Sequence, residues 1–491
     1  MRRTQRLSKS RFTAGLQCLK QLWWRVHEPQ APELVVDPRT QAIFDQGAKV
    51  GVVARTHVPG GRLVDRPYNA YAERLALTRQ CLDERVPAIY EACFVADDVF
   101  VAVDILERSR DGFHLIEVKS STSVKDEHLP DAAIQLHVLG RSGLDVGRAE
   151  VMHLNRACAY PDLHDLFVRQ DVTAEAEALL PGIPGSVRTQ LEALAGPLPE
   201  VAIGDHCSAP RACPFIERCW PTPPAHHVST LYFMRQRAAA LEAEGYSTIF
   251  QLPPDVSLNR TAARQVRAVR SGRMVVEPGL AEALETFEPP LAYLDFETVN
   301  PAIPVWDGCH PYDAIPAQFS CHVENGTGGF DHHEWIAEGS GDPRRPMAER
   351  VIAACRGART IVAYNASFES GCLQRVAAAL PDLREELARV QARLADPLPV
   401  VRNFIYHPDF GGSFSLKSVL PALVPELEYD ELEVAEGNAA SVHLARLMFE
   451  PQSLDAAERT RLLRALHRYC ELDTWGMVKL LERLRGIAAR S

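Results

Sequence analysis

Two carboxylates, Asp295 and Glu297, stand two residues apart in Tyr293-Leu294-Asp295-Phe296-Glu297-Thr298, a run that is mostly apolar or aromatic. On a β-strand, residues i and i+2 share a face, so both acids point the same way. Neighbouring carboxylates repel unless something positive lies between them, and a divalent cation is the usual answer. A solvated acidic edge competes as a reading of the triplet alone. Glu369 follows the strand-into-helix segment Tyr364-Asn365-Ala366-Ser367-Phe368. Tyr469 and Asp473 fall at i and i+4 of a helical run, hence on one face. Taken singly, each is equally a surface acid or a helix salt-bridge partner.

A second set of acids lies upstream. Asp104 is a charge inside the apolar run Val99–Leu106, where it is costly without a partner. Glu117 and Lys119 share a face of the next run, Phe113–Ser120. Asp104 with Glu117-x-Lys119 has the D…E-x-K layout of metal-dependent nucleases. In that chemistry the acids bind Mg²⁺ or Mn²⁺, which lowers the pKa of a water, and Lys119 steadies charge on the phosphate. A helix opening at Pro130-Asp131 carries Gln135 toward the same place. A surface salt bridge on a hairpin is the alternative.

Twelve cysteines in a chain with no secretion signal point to free, metal-bound or cluster-bound thiols before disulfides. His206-Cys207, Cys213-Pro214 and Cys219-Trp220 lie close together in a Pro-rich, loop-like stretch. Three cysteines there can converge on a metal, but they leave a fourth ligand unfilled. Cys18, alone in its helix, reads first as core.

The elements that must position these groups follow from pattern. The two apolar runs around Asp104 and Glu117 form a hairpin across Arg110-Asp111-Gly112. An aromatic-rich helix begins at Ser8 or Ser10, and a second covers 41–54. Strands are expected at 317–323 and 360–364, a helix at 346–355, and a long amphipathic helix over 462–484. Between the halves, Arg260, Arg264, Arg267, Arg270 and Arg273 recur every three or four residues, which predicts a basic stripe on a helix. A solvated linker face is its plainer reading. At 491 residues, 46% hydrophobic and 24% charged, the chain should hold two to four domains. A net charge of −11 argues against simple coating of polyphosphate, though not against an acidic site neutralised by ions. With no apolar segment of membrane-spanning length, the cytoplasm is the expected compartment.

Several of these motifs resemble known families. Strand-Asp104, turn, "IEVKSS" and the helix "AAIQLHVL" look like the RecB-type PD-(D/E)xK nucleases, in their CRISPR-associated and AddB-like branch. That resemblance implies assisting roles at the metal site for Glu91, in "YEACF", and Gln135. It also implies an iron–sulfur cluster on Cys18, Cys207, Cys213 and Cys219, a [4Fe–4S] group closing the ends of the domain, with Zn²⁺ as the alternative. The family's helix commonly carries Tyr where this chain has Leu139. Downstream, "LDFET", "YNASFE" and "YCELDT" resemble the three motifs of DnaQ-like DEDD exonucleases in their tyrosine-bearing subclass. Asp295, Glu297, Glu369 and Asp473 would then hold two divalent ions, and Tyr469 would orient or deprotonate the attacking water. Glu369 stands where most of that superfamily has Asp, which implies a looser second metal. Within "HPDFGGSFSLKSVLPAL", Lys417 is a candidate phosphate contact, with Asp396 upstream as an auxiliary acid.

The expected protein is an α/β multidomain chain. Residues 1–222 would be a restriction-endonuclease-like nuclease with a four-Cys cluster and one or two metal ions. Residues 223–287 would be a helical connector similar to a helix-hairpin-helix, with Arg260, Arg264 and Arg267 meeting nucleic acid. Residues 288–491 would be an RNase H-like, DnaQ-type exonuclease. Its expected partner is DNA, single-stranded or with free ends, and its expected setting DNA repair or processing. An exoribonuclease is one rival, and a catalytically weak nucleic-acid-binding or assembly protein is another.

Overall fold

A computed structural model describes residues 7–110, 112–220, 222–427 and 437–490. The basic start of the chain and Asp111 of the expected hairpin turn lie outside the described residues. The chain is α/β and forms two compact units with mixed sheets. One comprises residues 1–222 with 301–312, the other residues 223–300 with 313–491. Residues 223–287, expected as a connector of their own, therefore group with the second unit. The 301–312 segment groups with the first.

The first unit is built on a seven-stranded sheet. Its strands are β1 (Leu7–Ser8), β2 (Gly61–Leu63), β3 (Ala88–Ala96), β4 (Val99–Ser109), β5 (Gly112–Lys119), β6 (Val146–Leu154) and β7 (Phe167–Asp171). They lie in the order β2-β3-β4-β5-β6-β7, with β1 parallel to β4. β4 and β5 pair antiparallel as the expected hairpin. Gly112 has φ +127°, and a side chain there would run into the Asp145 carbonyl. That combination requires glycine at the turn. The helix Leu129–Arg141 buries Ala132, Ala133, Ile134, Leu136, Val138 and Leu139 against this sheet. The aromatic-rich helix is two helices, Lys9–Gln17 and Leu19–His27, because Cys18 is extended between them at φ −161°, ψ 121°.

The second unit carries a five-stranded sheet of β9 (Leu291–Val299), β10 (Ile315–Glu324), β11 (Phe330–Ile336), β12 (Thr360–Val362) and β13 (Leu394–Ala395). The order is β11-β10-β9-β12-β13, antiparallel on one side of β9 and parallel on the other. A separate antiparallel pair joins β8 (Val275–Val276) to β14 (Ile405–Tyr406). Alternation along β9 explains its place. Ala292, Leu294 and Phe296 enter a core with the helices Arg344–Ala354 and Ser367–Ala379. Leu291 and Tyr293, on the other face, pack into a core shared with the long helix Ala456–Ala488. Asp295 and Glu297 continue that second face. The long helix is held over it by Gln318 Nε2, which donates to the Leu466 carbonyl at 2.8 Å. Among the described residues, no helix is long and apolar enough to cross a membrane.

Candidate functional site

Three elements of the second unit bring its acids together. β9 supplies Asp295 and Glu297, the long helix supplies Tyr469 and Asp473, and the first turn of Ser367–Ala379 supplies Glu369. Oxygens of Asp295, Glu297 and Asp473 lie within 4.8 Å of one another, a group able to hold a metal ion. Glu369 is 3% exposed, and its Oε2 is buried without a hydrogen-bond partner. A buried carboxylate oxygen left so is costly unless something positive meets it.

The electrostatics follow from that crowding. Burial holds Asp295 well above the usual carboxylate range, and Asp473, Glu297 and Glu369 push it further. Cys470 Sγ, 3.6 Å from Asp295 Oδ2, opposes this weakly. Glu297 is pushed up to about 8 by burial and by Asp473, against the pull of Lys417. Glu369 also rises to about 8, through burial and the charge of Asp396. Burial raises the Tyr469 phenol, and Asp473, to which it is hydrogen-bonded, raises it more. Lys417 Nζ lies 5.1 Å from the centroid of the Tyr469 ring, so the expected phosphate contact stands beside the acids. A divalent ion among these carboxylates would relieve their repulsion.

Asp396, expected as an auxiliary acid, also has a positioning role. Its two oxygens accept the Asn365, Ala366 and Leu398 backbone N–H groups at 2.9–3.2 Å. It thereby fixes the turn, with Asn365 at φ +64°, that launches the helix bearing Glu369.

In the first unit, Glu117 is the hub. Its Oε1 meets Lys9 Nζ at 2.6 Å and Lys119 Nζ at 2.8 Å, and its Oε2 accepts from Gln135 Nε2 at 2.8 Å. Lys119 also reaches Asp131 Oδ2 at 2.6 Å. Asp104 Oδ2 accepts the Val118 N–H at 2.8 Å. Burial raises Asp104 to about 7, and Glu117 adds to this while Lys9 opposes it. Glu117 is held well below the carboxylate range because Lys9 and Lys119 outweigh its burial. Glu91 faces Asp104 where the β3–β4 ladder skips a pair, with φ +59°. Its carboxylate pairs with Arg55 at 2.9 Å and Arg74 at 3.7 Å, and its charge is felt at Asp104. Sequence reasoning missed Lys9 and the part played by Asp131. Asp131 was visible at the head of the Gln135 helix, one turn before Gln135, whereas nothing local marked Lys9.

The four cysteines gather around one space in the first unit. Cys18, Cys207, Cys213 and Cys219 line one small cavity together with Gln21, Trp24 and His206. Gln17 Nε2 donates to the His206 and Arg211 carbonyls at 2.7 and 2.6 Å, tying the first helix to the cysteine loop. Trp24 packs on Phe215 with ring centroids 5.1 Å apart. Burial pushes the Cys213 and Cys219 thiols up, and the sulfurs of Cys18 and Cys207 push the same way.

The basic stripe is corrected. Arg264 is 1% exposed, donates to Glu277 at 3.0 Å and to the Arg402 carbonyl at 2.7 Å, and cannot reach a phosphate. Its helix, Arg260–Ser271, turns that position inward with Ala262, Val266 and Val269. Arg260 and Arg267 remain at the exposed side, Arg267 paired with Glu277.

Residues 292–415 match a family model described as a domain of unknown function, DUF2779. The match holds the β9 acids, Glu369 and Asp396, and stops short of Lys417, Tyr469 and Asp473. A stretch of 210 residues is 26% identical to the uncharacterized protein MG366 homolog of Mycoplasma pneumoniae, covering 38% of this chain and 31% of that protein. The chain thus spans under a third of the length of the curated relative it matches. No solved structure matches the chain.

Proposed function

We propose that the chain is a Mg²⁺- or Mn²⁺-dependent nuclease acting on DNA. Its second unit would be an RNase H-like, DnaQ-type 3′→5′ exonuclease, and its first a RecB-like PD-(D/E)xK domain with a second nuclease centre. The observation that carries the reading is the convergence of Asp295, Glu297 and Asp473 from a central strand and a crossing helix. The partnerless Glu369 Oε2 beside them fits a cationic ligand. Divalent ions, when bound, would supply charge neutralisation and a more acidic water for in-line phosphodiester hydrolysis. Tyr469, hydrogen-bonded to Asp473, would orient or deprotonate the attacking water. Lys417, beside Tyr469 and Glu297, meets the substrate phosphate.

In the first unit, Asp104 and Glu117 are the ligand pair. Gln135 and Lys119 hold Glu117 in place, and Lys119 faces the phosphate. The shared cavity of Cys18, Cys207, Cys213 and Cys219 supports a [4Fe–4S] cluster there, since four thiolates are its usual donor set.

The test is Mn²⁺-dependent degradation of 5′- and 3′-labelled DNA, with RNA competitors, by the full chain and two variants. Asp295→Ala should abolish shortening from the 3′ end, and Asp104→Ala should remove only the remaining cleavage. Undiminished degradation by both variants would overturn the proposal. Anaerobically purified protein should be brown, and colourless protein with stoichiometric zinc would overturn the cluster.

A further inference from the structure

On the same face of the second sheet lies a group that the nuclease reading does not use. His322 on β10 and His332 on β11 are directly opposed across the antiparallel ladder. Their rings stack with centroids 4.3 Å apart and planes 16° from parallel. Glu471 comes down on them from the long helix, and ligand atoms of all three lie within 4.8 Å of one another. They line an open cleft of about 720 Å³, together with Phe330, Arg468, Trp475 and Lys479.

A chain of hydroxyls sets the imidazoles. His322 Nδ1 is 2.8 Å from Thr474 Oγ1, Thr474 Oγ1 is 2.8 Å from Ser320 Oγ, and Ser320 Oγ is 2.9 Å from His332 Nε2. Thr474 has one hydroxyl proton, which its own helix can take through the Glu471 carbonyl at 3.0 Å. In that arrangement Thr474 accepts from His322 Nδ1–H and from Ser320, and Ser320 accepts from His332 Nε2–H. Every member is satisfied, and the remaining nitrogens, His322 Nε2 and His332 Nδ1, keep their lone pairs. Hydrogen bonds of this kind on the far nitrogen fix the tautomer of metal-binding histidines, and an ion shared by both rings would tilt them out of their stack, because each lone pair lies in its ring plane.

We infer that His322, His332 and Glu471 form a binding site for a divalent transition-metal ion of the zinc type, separate from the acidic site. Two imidazoles and one carboxylate are a zinc donor set with an open fourth position. Mg²⁺, which takes oxygen ligands, is disfavoured there. Glu471 already meets Arg468 Nη1 at 3.3 Å through Oε2, which leaves Oε1 for the ion. Bound metal would clamp β10 and β11 to the helix that carries Asp473 and Tyr469.

Zinc binding by the full chain tests this, with stoichiometry from equilibrium dialysis and thermal melting in parallel. His332→Ala, on a sheet-edge strand, should bind one zinc fewer than wild type and lose the zinc-dependent rise in Tm attributable to that ion. Glu471→Gln should weaken the same ion at least tenfold. Asp473→Asn should leave that ion in place, which separates this site from the acidic one. Equal zinc stoichiometry and affinity in wild type, His332→Ala and Glu471→Gln would overturn the assignment. So would the loss of the same ion in Asp473→Asn.

Discussion

Lys9 Nζ lies 2.6 Å from Glu117 Oε1, a bridge from the first helix to an acid on β5 whose side chain is 2% exposed. The ammonium is the only lysine of the Lys9–Gln17 helix, and it answers the charge of Glu117, Asp104 and Asp131 together. The first helix is therefore tied to the acidic pair by charge as well as by packing.

Lys9→Met should lower the stability of the full chain by roughly 3 kcal/mol, the lower end of the ~3–5 kcal/mol range for removing one partner of a buried ion pair. Glu117 keeps Lys119, so the loss should stay short of the upper values for an uncompensated charge. Adding Glu117→Gln should restore part of it. Urea unfolding of both singles and the double gives the coupling. Strict additivity would show that the bridge carries no energy.

Glu297 and Glu369 each sit at about 8, and Asp104 at about 7. Their ordinary values are 4.5, 4.5 and 3.8. In this window the native state holds more protons than the unfolded chain, so stability falls as pH rises, and Asp295 acts in the same sense. Glu117 is depressed and works in the opposite sense, its contribution being present above its ordinary 4.5 and lost below. Melting in EDTA between about pH 5 and 8 should therefore show a falling Tm. The double variant Glu297→Gln/Glu369→Gln should flatten the fall, as should saturating Mn²⁺. A Tm that climbs across that range would contradict the assignment of buried, mutually repelling acids.

Arg264 and Arg267 share Glu277 yet should behave differently. Arg264→Ala removes a buried guanidinium that also holds the Arg402 carbonyl, and should cost roughly 3 kcal/mol. Arg267→Ala removes a half-exposed partner and should cost under about 1 kcal/mol. Chemical denaturation of the two variants separates them, and equal losses would count against the structural role of Arg264.

Spacing within one element was legible in the residues. The two-residue period put Asp295 and Glu297 on one face of β9, and the i,i+4 spacing did the same for Tyr469 and Asp473. The Asp-Gly signal located the β4–β5 hairpin, and Gln135 follows from its place on a helix that packs on the sheet. These properties depend only on neighbours a few positions away, which share one regular backbone.

What needed the tertiary structure were the long-range choices of polar groups. Lys9 finds Glu117, Arg264 turns inward to Glu277, Asp396 reaches back to hold the Asn365 turn, and His322 opposes His332 across two strands. Each partner is fixed by packing of distant segments, and burial then makes a polar group take whichever partner that packing supplies. A helical repeat of arginines cannot say which face is buried until a core exists. For Asp295 and Glu297, periodicity set their common direction, while only the helix crossing above them decided that they would meet Asp473.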